Sequence, residues 1–161
     1  MQLATIGVYG FDADGFLRAL RRADVRVLVD VRQRRGVRGR EYAWANVRRL
    51  QAALGGAGID YVHLKQLAPT PELRHLQYAE DARAGVGKGS RRELAPAYVH
   101  RYRREILDPV GVRPVLDALP SAGRAALLCV ERNPEACHRS LIARVAEDEG
   151  VAVSHLRPDT G

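Results

Sequence analysis

The sequence predicts an α/β fold: one three-layer domain with a mainly parallel sheet of about five strands and helices on both faces. Short apolar runs, of a length that suits buried strands, alternate along the chain with longer segments in which apolar residues recur at helical spacing. Two parallel strands need a crossover between them, usually a helix, so this alternation indicates a parallel sheet. The length of 161 residues, without repeats or a long linker, predicts a single domain over residues 1–161 with its core at about 3–156.

Five apolar runs are the predicted strands. Each is rich in aliphatic or β-branched residues and is bounded by polar or turn-forming residues. In chain order they are Leu3–Tyr9, Val25–Val31, Ile59–Leu64, Ala125–Val130 and Val151–Leu156.

The first two helices are predicted from their caps and their apolar spacing. Asp12 or Asp14 caps the first helix, which runs to about Ala23. The second helix ends at the glycine-rich segment 55–58, and its apolar positions are Trp44, Val47, Leu50 and Leu54. We therefore expect Trp44 to lie in the core and not to serve as a stacking platform for a base.

The middle of the chain contains further helices and a basic loop. Helices are predicted at about Glu72–Ala84 and Glu93–Leu107, with a shorter one within Asp108–Leu119. The segment Gly85–Arg92 contains three glycines and several basic residues, but it lacks the spacing of a phosphate-binding Walker loop. We interpret it as a flexible basic loop.

The segment after the fourth strand is the predicted functional site. Asn133 can cap a helix and Pro134 suits its first position, so a helix is predicted from there to about Glu149. Chemically active side chains then lie at the tip of the strand and one turn into this helix. Ligands of open α/β sheets bind at this junction. These side chains are Cys129, Glu131, Cys137, His138, Arg139 and Ser140.

An anion is the ligand that this junction favours. A helix start presents free N–H groups and a partial positive charge, to which Arg139, His138 and Ser140 add donors. The loop after the second strand, 33–41, is rich in arginine and glycine and could close over the anion. The residues that we expect to cover or orient the ligand are Asp30, Arg32, Arg35, Arg38, Glu131 and His63. We therefore predict binding of a phosphate-bearing ligand, a nucleotide or a nucleic-acid segment.

Two other functions stay open at this point. A cysteine-dependent enzyme would use Cys137 or Cys129 as a thiolate nucleophile, with Glu131 or His138 as general acid or base. A protein-interaction module would instead expose an apolar patch. The cysteines and histidines match no common zinc spacing, so the sequence predicts no metal centre, and it indicates no cofactor.

Composition limits the partners of the chain. The net charge is +7 and the isoelectric point about 10.0, which favours a polyanion. All basic residues except Lys65 and Lys88 are arginine, so a compositional bias explains the charge equally well. No apolar run is long enough for a bilayer and no signal peptide is recognisable, so we expect a cytoplasmic protein without a membrane partner. The sequence leaves the oligomeric state open.

Four motifs in the right order give the chain a family resemblance. They are Thr5–Gly7, Leu28–Arg32, Tyr61–Leu64 and, most specific of the four, Cys129–Ser140. With these motifs the chain resembles the bacterial family named domain of unknown function 488 from about Leu3 to Leu156. The resemblance implies a compact α/β domain and no settled activity. It implies, without assigned chemistry, the candidate residues Asp30, Arg32, His63, Cys129, Glu131, Cys137, His138 and Arg139.

A weaker likeness is to rhodanese domains. Val29–Arg32 followed by Glu41 is similar to the rhodanese opening, and a strand, a cysteine and then Arg139 on a helix is similar to its active-site half. The likeness implies sulfur or phosphoryl transfer. The segment from Cys129 to Arg139 is, however, longer than the tight anion cradle of those enzymes and contains acidic residues that would repel an anion.

Overall fold

The computed structural model describes residues 1–87 and 90–159, and these form a sheet in which all strands are parallel. The strands are β1 (Gln2–Ile6), β2 (Val25–Asp30), β3 (Asp60–His63), β4 (Arg124–Leu128) and β5 (Ala152–His155). Their order across the sheet is β3-β2-β4-β1-β5. The predicted α/β class with a parallel sheet of about five strands is confirmed.

Helices connect the strands within the described residues. They are α1 (Ala13–Arg22), α2 (Val47–Gly56), α3 (Pro71–Arg83), α4 (Pro96–Tyr102), α5 (Asp108–Val110), α6 (Arg113–Ala118) and α7 (Arg139–Asp148). A π-helical turn over Arg103–Leu107 joins α4 to α5, and single 3-10 segments occur at Arg40–Ala45, Lys65–Leu67 and Pro134–Ala136. None of the helices in the described ranges is both long and apolar enough to cross a bilayer.

The sheet is buried on both faces, as the predicted three layers require. Successive strand residues point to opposite faces, so Leu28 packs with the residues of α1 and α2, whereas Val29 packs with those of α3 to α7. Both faces of a parallel sheet must be covered, which explains why the strands are apolar runs without alternation.

The helices that follow neighbouring strands at the centre of the sheet pack on opposite faces of it. The helices that follow β1 and β2 pack on one face, whereas α7, which follows β4, packs on the other. Because β4 lies between β2 and β1, the chain leaves neighbouring strands toward opposite faces there. This arrangement opens a crevice at the carboxyl edge of the sheet, where ligands of such folds bind.

The strands end earlier than the apolar runs do. After β1 and β4 the chain leaves the sheet but stays paired, because the N–H groups of Val8 and Tyr9 both donate to the carbonyl of Val130, at 2.9 and 3.0 Å. The residues beyond the strand ends therefore line the crevice instead of extending the sheet.

The helix start expected at Asn133 is wrong. The Asn133 side chain makes no cap, the segment Pro134–Ala136 is one 3-10 turn, and Cys137 is extended with φ −140° and ψ 147°. The helix α7 begins only at Arg139. The Ser140 hydroxyl donates to the Cys137 carbonyl at 2.8 Å, which satisfies that carbonyl at the break. The break places Cys137 and His138 at the sheet edge and not within a helix.

Smaller differences follow from local caps. The helix predicted at Glu93–Leu107 begins at Pro96, since proline suits a first helical position. Asp12, and not Asp14, caps α1 by accepting the Gly15 N–H at 2.7 Å. Lys88 and Gly89 of the predicted basic loop, and the last two residues of the chain, lie outside the described residues.

Trp44 lies in the 3-10 segment before α2 instead of within the helix. Its ring centroid is 4.9 Å from that of Phe16, and it packs against the core on the α1 face. The expectation that Trp44 belongs to the core is met in part, because the side chain packs against the core but is only partly buried.

Candidate functional site

A cavity of about 180 Å³ lies at the carboxyl edge of the sheet. The segments that follow β1, β2 and β4 line it together with α3, α4 and the segment between them. Its buried lining includes Cys129, Cys137, His138 and Tyr98, and its exposed lining includes Arg34 and Arg38. The cavity is therefore lined partly by exposed arginines, here called its mouth, and partly by buried residues, here called its inner end.

Two thiols and one imidazole meet at the inner end. His138 Nδ1 lies 3.6 Å from Cys129 Sγ and 3.7 Å from Cys137 Sγ. The three side-chain atoms all lie within 4.8 Å of one another, and the three residues are at most 8% exposed. We call Cys129, Cys137 and His138 the dithiol–imidazole cluster.

The imidazole of the cluster is held in one orientation. His138 Nε2 lies 2.8 Å from the carbonyl oxygen of Val31, at the end of β2. A carbonyl can only accept, so Nε2 carries a hydrogen, and in the neutral imidazole Nδ1 therefore presents its lone pair to the thiols. The Tyr102 ring packs against the imidazole at a centroid distance of 5.5 Å.

The two thiols differ in their acidity. Burial and the neighbouring Cys137 raise the pKa of Cys129 well above its usual value. Burial also opposes ionisation of Cys137, but the hydrogen bond with Cys129 and the nearby His138 and Arg139 outweigh it, so the pKa of Cys137 lies well below its usual value. The pair therefore loses its first proton from Cys137.

Glu131 lies on the cavity wall beside an arginine network. Burial raises the pKa of its carboxyl group to about 7, although Arg91 counteracts this rise. Arg91 Nη1 lies 3.6 Å from Glu131 Oε1 and donates to the Ala136 carbonyl at 3.0 Å. Arg91 also forms a two-point ion pair with Asp81 of α3, with Nη2 2.7 Å from Oδ2. Asp81 in turn accepts from Gln77 Nε2 at 2.8 Å, which fixes the network to α3.

Two guanidinium groups at the cavity mouth have no partner within residues 1–87 and 90–159. Arg34 and Arg38 line the cavity and are exposed, and neither makes a hydrogen bond or an ion pair with any residue that the structure describes. Arg74, by contrast, donates to Gln33 Oε1 at 2.7 Å and to the Tyr78 hydroxyl at 3.1 Å. Among the residues that the structure describes, Arg34 and Arg38 are thus cavity-lining guanidinium groups without a protein partner.

The lining is strongly biased toward positive charge. Within residues 1–87 and 90–159, five arginines and one carboxylate line the cavity; they are Arg32, Arg34, Arg38, Arg74, Arg91 and Glu131. Asp30 pairs with Arg32 and Asp81 pairs with Arg91. Among the described residues, Arg34, Arg38 and Arg74 have no carboxylate partner. The described lining of the cavity therefore carries more positive than negative side chains.

Arg139 does not line the cavity, which removes the basis for its expected anion-binding role. Its side chain is fully buried, and its Nη1 and Nη2 donate to the carbonyls of Glu131 and Arg132 at 2.7 and 3.3 Å. Its Nε lies 3.4 Å from Thr5 Oγ1 on β1. Arg139 thus ties the turn after β4 to α7, and Ser140, occupied with the Cys137 carbonyl, does not line the cavity either.

Asp30 and Arg32 form a buried ion pair at the tip of β2. Arg32 Nε and Nη2 each lie 2.9 Å from a carboxylate oxygen of Asp30, and the Tyr61 hydroxyl donates to Asp30 at 2.6 Å. Arg32 Nη1 also donates to the Ala45 carbonyl at 2.9 Å. This bond joins the two ends of the arginine-rich segment that runs from β2 to the end of the 3-10 segment, here called the arginine loop. Both oxygens of the Asp30 carboxylate therefore accept hydrogen bonds from side chains of the protein.

Two more of the predicted ligand residues lie beside this pair. His63 Nε2 lies 3.0 Å from the Arg32 carbonyl, and Arg35 Nη1 lies 3.4 Å from the Tyr61 hydroxyl. Neither residue lines the cavity, and neither does Asp30. Of the predicted site residues, the structure brings Arg32, Arg38, Glu131 and the dithiol–imidazole cluster together around the cavity.

Sequence reasoning missed the side of the cavity that comes from α3 and α4. Arg74 and Tyr98 lie on helices, and Arg91 lies in the segment read as a basic loop. They reach the cavity only because α3 and α4 pack over the carboxyl edge. No local sequence signal marks them.

Comparison with known proteins gives one family match. The family described as domain of unknown function DUF488 matches residues 12–146, which is most of the chain. No curated protein and no solved structure matches the chain. The likeness to rhodanese domains is not shown by these comparisons.

Proposed function

The chain belongs to the DUF488 family, and we propose that it binds a phosphate-bearing small molecule in the cavity at the carboxyl edge of its sheet. The observation that carries this proposal is a pair of guanidinium groups, Arg34 and Arg38, that have no partner among the described residues and lie at the mouth of an arginine-lined cavity. Guanidinium forks bind phosphate oxygens two at a time, and this contact is among the stronger ones in proteins.

The shape of the cavity favours a small molecule over a nucleic-acid strand. Its inner end is formed by buried residues, so a ligand that enters it must end there. A strand bound only through its phosphates would instead follow an open basic groove. We therefore place the phosphate at Arg34 and Arg38 and the rest of the ligand toward Tyr98 and the dithiol–imidazole cluster.

Loss of the two mouth arginines is expected to abolish most of the anion affinity. In the Arg34→Gln/Arg38→Gln variant, the dissociation constant of inorganic phosphate and of a nucleoside monophosphate should rise about 100-fold or more, because two charge-assisted contacts of about 1.5–3 kcal/mol each are lost. Isothermal titration calorimetry on the full chain measures this change. Folding should be unaffected, since both side chains are exposed.

The matched control removes the same charge elsewhere. Arg48 and Arg49 are exposed on α2 and do not line the cavity, so Arg48→Gln/Arg49→Gln should bind both probes like wild type. Equal weakening in both double variants would refute the proposal in favour of a general charge effect. Tighter binding of a short oligonucleotide than of the monophosphate, with affinity falling steeply as salt rises, would indicate a nucleic-acid partner instead.

A cysteine-dependent transfer reaction is the second candidate, and the position of Cys137 favours it. Its Sγ lines the cavity 3.7 Å from His138 Nδ1, the arrangement of an activated thiol nucleophile. In such a reaction the Cys137 proton passes to Nδ1, and the sulfur attacks an electrophilic sulfur or phosphorus whose leaving group departs with the bonding electrons.

Thiol labelling separates this candidate from simple binding. We expect iodoacetamide to modify Cys137 in the native protein, and phosphate to slow the reaction, as peptide mass spectrometry can follow. If both cysteines react only after unfolding, they are structural and the reaction is excluded. An interaction module has little support, because Met1 is the sole large apolar side chain that is exposed in the described part of the chain.

A further inference from the structure

We propose that the dithiol–imidazole cluster is a binding site for one thiophilic divalent cation such as Zn²⁺, with Cys129 Sγ, Cys137 Sγ and His138 Nδ1 as its three protein ligands. This inference goes beyond the proposed anion binding and does not depend on it. A metal-bound thiolate is not free to act as a nucleophile, so the inference competes with the cysteine-dependent reaction.

The spacing of the three atoms is that of a tetrahedral metal site. With metal–sulfur bonds of about 2.3 Å and metal–nitrogen bonds of about 2.0–2.1 Å, two corners of a tetrahedron lie about 3.6 Å apart for sulfur and nitrogen. The observed distances from His138 Nδ1 to the two sulfurs are 3.6 and 3.7 Å. Two edges of such a tetrahedron, the nitrogen–sulfur ones, are thus already present, and the two sulfurs lie within 4.8 Å of each other.

The nitrogen ligand is oriented as metal-bound histidines are. The ring hydrogen of a ligating imidazole is almost always donated to a carboxylate or a backbone carbonyl, which fixes the ring and makes its other nitrogen a better ligand. His138 donates from Nε2 to the Val31 carbonyl at 2.8 Å, and its Nδ1 faces both thiols. One lone pair facing two thiols is better matched by a cation between them than by two S–H donors.

Charge also favours a cation at this position. Two thiolates and one divalent cation sum to zero, so binding releases the remaining thiol protons and places no net charge in the interior. The sulfurs come from two independent backbone positions, the residue after β4 and the extended residue before α7. The ligands are therefore held in place by the fold before the cation arrives.

Three protein ligands leave a fourth position open. Structural zinc sites are closed by four protein ligands, whereas sites that take a substrate or a water molecule keep one position free. All three ligand residues line the arginine-lined cavity, so the fourth position is available to water or to a ligand oxygen from that side. The cation would then act as a Lewis acid next to the anion site.

The sequence alone did not predict this site. Metal-binding cysteines are usually recognised from pairs separated by two to four residues, and Cys129 and Cys137 are farther apart than that. The break between the 3-10 turn and α7 is what returns Cys137 to the side of Cys129.

Cobalt titration tests the site with a readout that does not need an activity. Reduced, metal-free protein should bind one equivalent of Co²⁺, with thiolate-to-cobalt charge-transfer absorption in the near ultraviolet that one equivalent of Zn²⁺ removes. His138→Asn should weaken Co²⁺ binding more than about 100-fold, since even changes to residues behind a ligand cost about 10- to 100-fold. The matched control is His100→Asn, which alters an exposed histidine of α4 and should bind like wild type.

A second variant and a thiol-protection measurement test the metal site independently of His138→Asn. If His138→Asn fails to fold, Cys137→Ser serves in its place, and in wild type Zn²⁺ should protect both thiols from iodoacetamide. Absence of the charge-transfer band in wild type, or its persistence in Cys137→Ser, would overturn the inference. The Arg34→Gln/Arg38→Gln variant should keep full Co²⁺ binding, so failure of the metal site and failure of the anion site are distinguishable.

Discussion

Replacement of Gly7 by alanine is expected to destabilise the protein by about 3 kcal/mol or more. A Cβ at Gly7 would overlap the carbonyl oxygen of Glu131 and lie 2.8 Å from its carbon, and both are backbone atoms that cannot swing away. The same carbonyl accepts the Arg139 Nη1 hydrogen bond, so making room would also break a charged contact of about 1.5–3 kcal/mol. Overpacking itself costs typically about 1–3 kcal/mol.

A second glycine provides the matched control for this substitution. An alanine at Gly55, within α2, would meet nothing within 4 Å, and removal of the backbone freedom of a helical glycine should stabilise the protein by about 0.5–1 kcal/mol. Urea unfolding followed by circular dichroism measures both variants. A Gly7→Ala midpoint equal to that of wild type would mean that the β1 tip does not pack against the turn after β4 in solution.

Replacement of Asp30 by alanine is expected to have an effect of similar size, about 3–5 kcal/mol. Arg32 is 1% exposed, and without Asp30 its charge would remain buried without compensation. Breaking a buried ion pair from one side costs this much because the remaining ion cannot regain its hydration. The Tyr61 hydroxyl would lose its acceptor as well.

The control for Asp30 is an aspartate in an exposed ion pair. Asp117 faces Arg113 at 3.9 Å with both side chains more than two-thirds exposed, so Asp117→Ala should change the free energy of unfolding by less than about 1 kcal/mol. Thermal and urea unfolding of both variants provide the comparison. If Asp30→Ala were as stable as Asp117→Ala, the Asp30–Arg32 ion pair would not be buried and compensated in solution as the structure shows it.

The cavity at the carboxyl edge of the sheet lies where the sequence predicted a site, because its position depends on the order of strands and helices along the chain. An apolar strand that ends in Cys129 and Glu131 and is followed by a helix must bring both ends to the carboxyl edge. The sheet itself follows from the same alternation, which is why the fold class and the approximate strand positions were predictable.

The roles of individual residues could not be predicted because they depend on distant backbone groups. Arg139 was expected to bind an anion, but its guanidinium group donates to two carbonyl oxygens of the turn after β4. No local sequence pattern specifies the path of that turn. The break at Cys137 likewise overrides a good capping sequence at Asn133 and Pro134. Arg91 reaches the cavity through Asp81, a contact between elements that only the packed structure brings together.

The contacts of Arg32 with Asp30 and the Ala45 carbonyl separate the stability of the sheet from the sequence of the exposed loop that follows β2. Arg32 is fixed by Asp30 and the Ala45 carbonyl, so the arginine loop leaves the sheet from one rigid point and returns to another. The exposed positions between them, Arg34, Gly36 and Arg38, can therefore change without disturbing the core. Substitutions at these positions can therefore vary the charge of the cavity mouth while the stability of the sheet stays the same.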